Sequence, residues 1–169
     1  MTTWMWFFIV AVIIQRLVEL SIARSNEKWM KRIGGIEKGE KHYKWFIMLH
    51  CCFFISIIIE TSINKHVLTN VNYFLLIIFL VAQAVRVWCI HTLGKFWNTK
   101  VIVLPGVALI KKGPYKYIKH PNYIVVGVEL FVIPMLVGAQ LTALLFPVCH
   151  LLLLRVRILQ EEKALTRAT

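Results

Sequence analysis

The sequence predicts an all-α integral membrane protein with about five transmembrane helices, a C-terminal helical hairpin and a structured cytosolic loop. Three observations carry this: 59% of the 169 residues are hydrophobic and only 17% are charged; the apolar runs exceed what a soluble domain of this size can bury; and Lys and Arg alternate in density from one connection to the next. A crossing of the hydrocarbon core takes about 20 mainly apolar residues. Runs of that kind extend over Thr3–Ala23, Trp45–Ile63 and Tyr73–Ile90, followed by shorter ones over Tyr123–Val137 and Leu141–Leu154. The last two are separated only by Gly138, Ala139 and Gln140, which predicts a tight hairpin, tilted or extended into flanking residues.

The first run has no basic start and no Ala-x-Ala-like site, and it carries Gln15, Arg16 and Glu19. It reads as a retained helix rather than a signal peptide. No repeat at solenoid period and no low-complexity tract interrupts the chain. Cys51, Cys52, Cys89 and Cys149 all lie in apolar runs without CxxC spacing, so neither a metal site nor a disulfide framework is expected.

A net charge of +12 raises nucleic acid as a partner, but the basic residues follow the membrane instead. The connection from Arg24 to Lys44 holds seven Lys and Arg, the next only Lys65, that from His91 to Pro121 six, the hairpin none, and the tail from Arg155 four. This alternation predicts the N-terminus outside and the C-terminus in the cytoplasm. Two parts of one membrane domain follow from the layout: an N-terminal three-helix part over 1–92 and a C-terminal part over 93–169.

Ionisable side chains within spans are functional candidates by default. Arg16 and Glu19 share a helical face. His50, Arg86 and Glu129 fall roughly 6 to 10 Å from the inner boundary at the helical rise, and His150 lies nearer the middle. Such a belt points either to a polar cavity open to the cytosol or to ion pairs and snorkelling arginines that fix packing. Glu129 has no partner along its own helix.

The loop between the third and fourth runs carries its own punctuation. Val101–Leu104 and Val107–Ile110 flank Pro105-Gly106, which predicts a short β-hairpin around a type II turn. Gly113-Pro114 predicts a second turn, and Tyr115–Lys119 a brief helical piece ended by Pro121, with His120 held extended before the proline. Past the fifth run, "RVRILQEEKAL" continues as a helix into the cytosol, with Arg157 and Glu161 four apart on one face. The loop and this helix leave the membrane on the same side, so basic, acidic and aromatic groups converge beside the last hairpin.

Gly113-Pro114-Tyr115-Lys116-Tyr117 running into Lys119-His120-Pro121-Asn122-Tyr123 resembles the integral-membrane isoprenylcysteine carboxyl methyltransferases and their small bacterial relatives. Leu93-Gly94-Lys95-Phe96-Trp97 and Pro105-Gly106 upstream, and Arg157 followed by Glu161-Glu162 downstream, belong to the same resemblance, which covers 93–165. "RLVELSIARSNEKWM" and "GGIEKGEKHY" look like the bacterial branch associated with alkylpyrones or similar phenolic lipids. The resemblance implies an S-adenosyl-L-methionine-dependent O-methyltransferase acting on a carboxylate or an enol or phenol oxygen of a lipophilic acceptor. It implies a cofactor pocket lined by Tyr115, Lys119, His120, Pro121 and Tyr123 with Glu162, and catalytic roles for Arg157 and Glu161. Lys119 departs from the pattern: arginine usually precedes the His-Pro step, and lysine keeps the charge without the bidentate geometry.

Two rival readings remain at this stage. Membrane sterol reductases resemble the same motif region but bind NADPH, and His50, His91 and His150 suggest a non-catalytic haem or quinone anchor. Oligomeric state and the identity of the acceptor are left open.

Overall fold

A computed structural model describes residues 2–38, 40–64, 71–107 and 110–166, with side chains in the last helix described as far as residue 159. Five helices form the body: α1 (Thr3–Arg32), α2 (Glu40–Ile63), α3 (Tyr73–Leu93), α4 (Pro121–Val137) and α5 (Gln140–Thr166). Four of them, α1, α2, α3 and α5, contain stretches long and apolar enough to cross a membrane, while α4 is a shorter apolar helix. The predicted class is therefore the observed one.

Burial explains the short fourth helix. α4 carries nine buried residues, including Val125, Glu129, Leu130, Val132, Ile133, Leu136 and Val137, and packs against both α3 and α5. A helix that is apolar all round belongs inside a bundle. Met5, Ile9 and Val12 of α1, Leu49, Phe53 and Ile57 of α2 and Phe146 of α5 complete the core around it. Their spacings of three and four place each set on one helical face. Phe7, Leu17, Ile55, Phe74, Leu144 and Leu151 stand exposed on outer faces, as a lipid-facing surface requires.

The hairpin between α4 and α5 is built by local rules and one distant carboxylate. Gly138 closes α4 in the left-handed conformation (φ +82°), and the Ala139 N–H reaches back 2.8 Å to the Pro134 carbonyl, a glycine cap. The first turn of α5 then presents free N–H groups. Glu60 of α2 accepts from the Leu141 and Thr142 amides at 2.8 Å each and from the Thr142 hydroxyl at 2.7 Å. A carboxylate at a helix N-terminus satisfies orphan donors and complements the helix dipole.

At the other end, α1 and α5 run about 45 and 40 Å at the helical rise, beyond the roughly 30 Å of hydrocarbon. Their extensions flank a small structured layer. Here β2 (Val101–Val103) pairs antiparallel with β1 (Ile36–Lys38) from the α1–α2 connection, in the register Ile36 to Val103 and Lys38 to Val101. The partner expected at 107–110 is partly outside the described residues. The observed pairing rests on a shared ion-pair cluster across the two strands and a close approach at Gly35, where an added Cβ would lie 2.7 Å from the Met30 carbonyl oxygen and 2.9 Å from Ile102. The brief helix expected at Tyr115–Lys119 is a 3-10 turn over Gly113–Lys116, and α4 starts at Pro121, two residues before its apolar run. Proline suits that first position because its missing N–H would have been unpaired.

Candidate functional site

The segment joining α3 to β2 is bolted to α1 by one buried asparagine. Asn26 Nδ2 donates to the Gly94 carbonyl at 3.2 Å and the Trp97 carbonyl at 2.8 Å, and the Trp97 side chain is buried. Asn98 follows, its side chain accepting from the Lys100 N–H at 3.0 Å, which turns the chain. Lys100 then lies 2.8 Å from Glu27 and 3.0 Å from Glu37, the two carboxylates that Lys31 holds at 2.6 and 2.5 Å. Burial works against ionisation of Glu37, but hydrogen bonds from Lys31 and Lys100 outweigh it and hold its carboxyl below the ordinary 4.5. Burial likewise opposes the charge on Lys100, and its bonds to Glu27 and Glu37 keep it above 10.5. Both groups stay charged across the neutral range, so β1, β2 and the end of α1 form one rigid unit.

That rigidity positions Thr99. Its hydroxyl lies 3.3 Å from the Tyr43 hydroxyl of α2, and its carbonyl accepts from Arg157 Nη2 at 2.5 Å. Arg157 Nε donates to the Tyr123 hydroxyl at 2.8 Å, and the guanidinium lies over Phe46 and Tyr123, 4.9 and 5.5 Å from their ring centroids. Stacking and hydrogen bonding together immobilise the arginine. Tyr123 in turn stacks on His120, with centroids 5.2 Å apart and planes 17° from parallel.

The site residues expected from the sequence are thus partly brought together. His120, Tyr123 and Arg157 form a continuous stack, with Pro121 buried beneath as the first residue of α4. Lys119, His120 and Tyr123 line a cavity of about 750 Å³ between α4 and α5, whose other walls include Ile124, Val128, Phe131, Leu151 and Leu154. Tyr115 is elsewhere: it sits in the 3-10 turn against α3 and hydrogen-bonds with Cys89, while Gly113 presses on α3 so closely that a Cβ would meet Thr92 Oγ1 at 2.5 Å. The side chains of Glu161 and Glu162 lie outside those described. Phe46, Tyr43 and Thr99 carry no signal in the sequence, since each acquires its role only through a neighbour on another element.

Below this layer the in-membrane charges form a second centre. Glu129 has partners after all, on other helices: Arg86 pairs with it through Nε at 3.0 Å and through Nη2, Gln83 donates to it at 2.8 Å, and Arg16 Nη2 lies 2.8 Å away. Arg16 also pairs with Glu19 at 2.6 Å, and Arg86 with Glu19 at 3.2 Å. Two cations and two anions balance at the junction of α1, α3 and α4, so these four groups form interhelical ion pairs, one of the two arrangements the belt of charges allowed.

A family model described as the isoprenylcysteine carboxyl methyltransferase (ICMT) family matches residues 75–167, from α3 through the layered segment to the end of α5. The chain belongs to this family. Family members are membrane methyltransferases, and the multi-pass helical architecture agrees with that. A Bacillus subtilis protein carrying the name "Uncharacterized protein YpbQ" is 44% identical over 160 residues, 95% of each chain. A Haemophilus influenzae protein named "Uncharacterized protein" is 31% identical over 157 residues, 89% of this chain and 88% of that one. No solved structure matches. The family match encloses Tyr115, Lys119, His120, Pro121, Tyr123 and Arg157 together, so the stacked cluster falls inside the segment that defines the family.

Proposed function

We propose that the protein is an S-adenosyl-L-methionine-dependent O-methyltransferase whose acceptor is a lipophilic molecule reaching the site from the bilayer. The observation that carries this reading is the Arg157–Tyr123 hydrogen bond of 2.8 Å, which joins the His-Pro segment to the last helix. The donor set suits the cofactor: the His120–Tyr123 stack offers an aromatic face for an adenine ring or a sulfonium cation. Lys119, His120, Tyr123 and Tyr115 would form its side of the pocket, Pro121 would hold the backbone turn, and Glu162 would close it from α5. When bound, the cofactor supplies an electrophilic methyl group.

The protein's part is alignment and exclusion of water. Arg157, already fixed by Thr99 and Phe46, presents a planar cation to the acceptor oxygen, with Glu161 one turn further along α5. The apolar walls of the 750 Å³ cavity give an alkyl or prenyl tail a place beside the polar cluster. By the distribution of Lys and Arg the cluster faces the cytoplasm, where the cofactor is available.

The test is binding of labelled S-adenosyl-L-methionine to the purified protein, followed by transfer to a panel of lipid extracts and prenylated thiol acids. Cofactor binding without NADPH binding is expected. Arg157→Ala should lower kcat/KM about 10²-fold, the scale of a misplaced reacting group, while Glu161→Gln should lower it less. Full activity in both variants on a verified acceptor would remove these assignments, and a folded protein that fails to bind the cofactor would remove the reading itself.

A further inference from the structure

The outer face of α1 carries a stripe that the site does not use. Phe7, Val10, Ile14 and Leu17 stand exposed along it, and the same alternation of three and four residues continues through Ser21 to Arg24, Lys28 and Arg32, all exposed. At 100° per residue this stripe lies opposite Ala23, Asn26 and Met30, which are buried against the rest of the molecule. One helix face is therefore apolar along its first part and basic along its last turns, with no break between the two.

Helix length sets the level of each half. A rise of about 45 Å for α1 compares with about 30 Å of hydrocarbon and about 40–45 Å once both headgroup layers are included. With the apolar run Thr3–Ala23 in the hydrocarbon, Arg24 opens the headgroup layer, Lys28 follows about 6 Å further out and Arg32 about 12 Å. None of the three forms an ion pair with a described carboxylate: Glu27 and Glu37, the acids of this layer, are taken by Lys31 and Lys100. The helix dipole favours cations in the last turn, which accounts for Lys31 and Arg32 but not for Arg24 or Lys28. Like charges four residues apart destabilise a helix, a cost that an anion lying along the stripe removes.

We infer that this face of α1 is a binding surface for an anionic glycerophospholipid. The phosphate lies between Arg24 and Lys28, where a guanidinium offers paired N–H donors, and Arg32 acts on it from within a Debye length of about 8 Å. An acyl chain spanning half the hydrocarbon, about 15 Å, reaches from Arg24 back to Ile14 and covers Leu17 on the way. Continuity of the two halves selects the occupant: a molecule that covers both must carry a charge and a chain, which an acidic peptide or a nucleic acid does not. This inference is independent of the methyltransferase reading. It bears on the site's scaffold all the same, because the inner side of the same turns carries Asn26 and Glu27, which hold Gly94, Trp97 and Lys100. Lipid on the outer face braces the stretch of helix on which the basic layer is mounted.

The experiment reconstitutes the full chain in phosphatidylcholine vesicles with a trace of spin-labelled phosphatidylglycerol or spin-labelled phosphatidylcholine, and compares how much of each probe the protein immobilises. Wild type should prefer the anionic probe at least about fivefold, the contribution of one basic residue near the surface. The preference should largely vanish at about 1 M salt, where the Debye length is about 3 Å. Replacing the stripe together, Arg24→Gln with Lys28→Gln and Arg32→Gln, should abolish it. Replacing three other exposed cations of the same end, Lys38→Gln with Lys111→Gln and Lys112→Gln, removes the same charge and should leave most of it. Inorganic phosphate or polyglutamate, charged but without acyl chains, should not displace the probe. On wild type, phosphatidylglycerol carrying a photoactivatable group beside its phosphate should label residues 21–32. No preference on wild type, equal losses in the two triple variants, displacement by phosphate or polyglutamate, or labelling confined to other segments each overturns the proposal. The first and last of these need no variant to fold.

Discussion

Arg86 and Glu129 show what a buried charge does in this bundle. Each is almost fully buried, and each is satisfied by groups from other helices, with Gln83 and Arg16 filling the remaining positions. Desolvating two ions is repaid only by such geometry, and removal of one partner leaves a charge stranded. Glu129→Ala or Arg86→Ala should therefore cost about 3–5 kcal/mol, read as a lowered midpoint of chemical unfolding in detergent. The double variant Arg86→Leu with Glu129→Leu should cost much less than the sum, because Arg16 and Glu19 remain as a balanced pair. Additive losses would show that the four groups are not one network. Nothing along the chain near Glu129 announces this pairing, since Arg86 lies 43 residues away; the spacing of Arg16 and Glu19, by contrast, made their pair readable.

Helix ends obey local rules where the cap lies next to the helix and escape them where it does not. Asn72 caps α3 through its side chain, accepting from the Leu75 N–H at 3.2 Å, and the Gly-Ala step after α4 is an ordinary glycine stop. The start of α5 is different, because Glu60 arrives from α2, 81 residues earlier. Glu60→Ala should destabilise the protein by about 1–2 kcal/mol, the range of a lost cap and dipole contact, with Glu60→Gln between it and wild type. Faster hydrogen exchange at 141–144 would locate the effect; unchanged exchange there would assign the contact no energetic role. The strand at Val101–Val103 teaches the same lesson. Its existence was legible from valine and isoleucine before Pro105-Gly106, but its partner was not, because Lys100, Glu27 and Glu37 select it from a separate connection.

Lys and Arg concentrate at one end of the molecule, and the stack of His120, Tyr123 and Arg157 lies at that end. With cysteine introduced at Asn64 or at Lys112 in a background lacking Cys51, Cys52, Cys89 and Cys149, a membrane-impermeant maleimide tests the orientation. Asn64→Cys should label in intact cells and Lys112→Cys only after permeabilisation, following the rule that Lys and Arg stay inside. The opposite pattern would place the cluster outside the cell and away from the proposed cofactor. Four helix stretches long enough to span, with the fourth helix sheltered among them, leave room between α4 and α5 for a cavity whose walls are apolar except at Lys119, His120, Tyr123 and His150.

Hydrophobic length, the alternation of Lys and Arg, and the ordered Gly-Pro-Tyr to His-Pro-Asn-Tyr segment were enough to give the membrane class, the hairpin and the family. These are properties of contiguous residues, governed by transfer into hydrocarbon and by local backbone constraint. The partners of Glu129, the cap on α5, the pairing of β2 and the meeting of Phe46, Tyr123, His150 and Arg157 depend on which helix faces which. Packing chooses among many ways of joining apolar faces, and each polar group then finds its partner across the bundle rather than along the chain. That is why Arg157 could be nominated from its helix, while the bond that holds it to Tyr123 and its place over Phe46 became visible once α2, α4 and α5 were brought together.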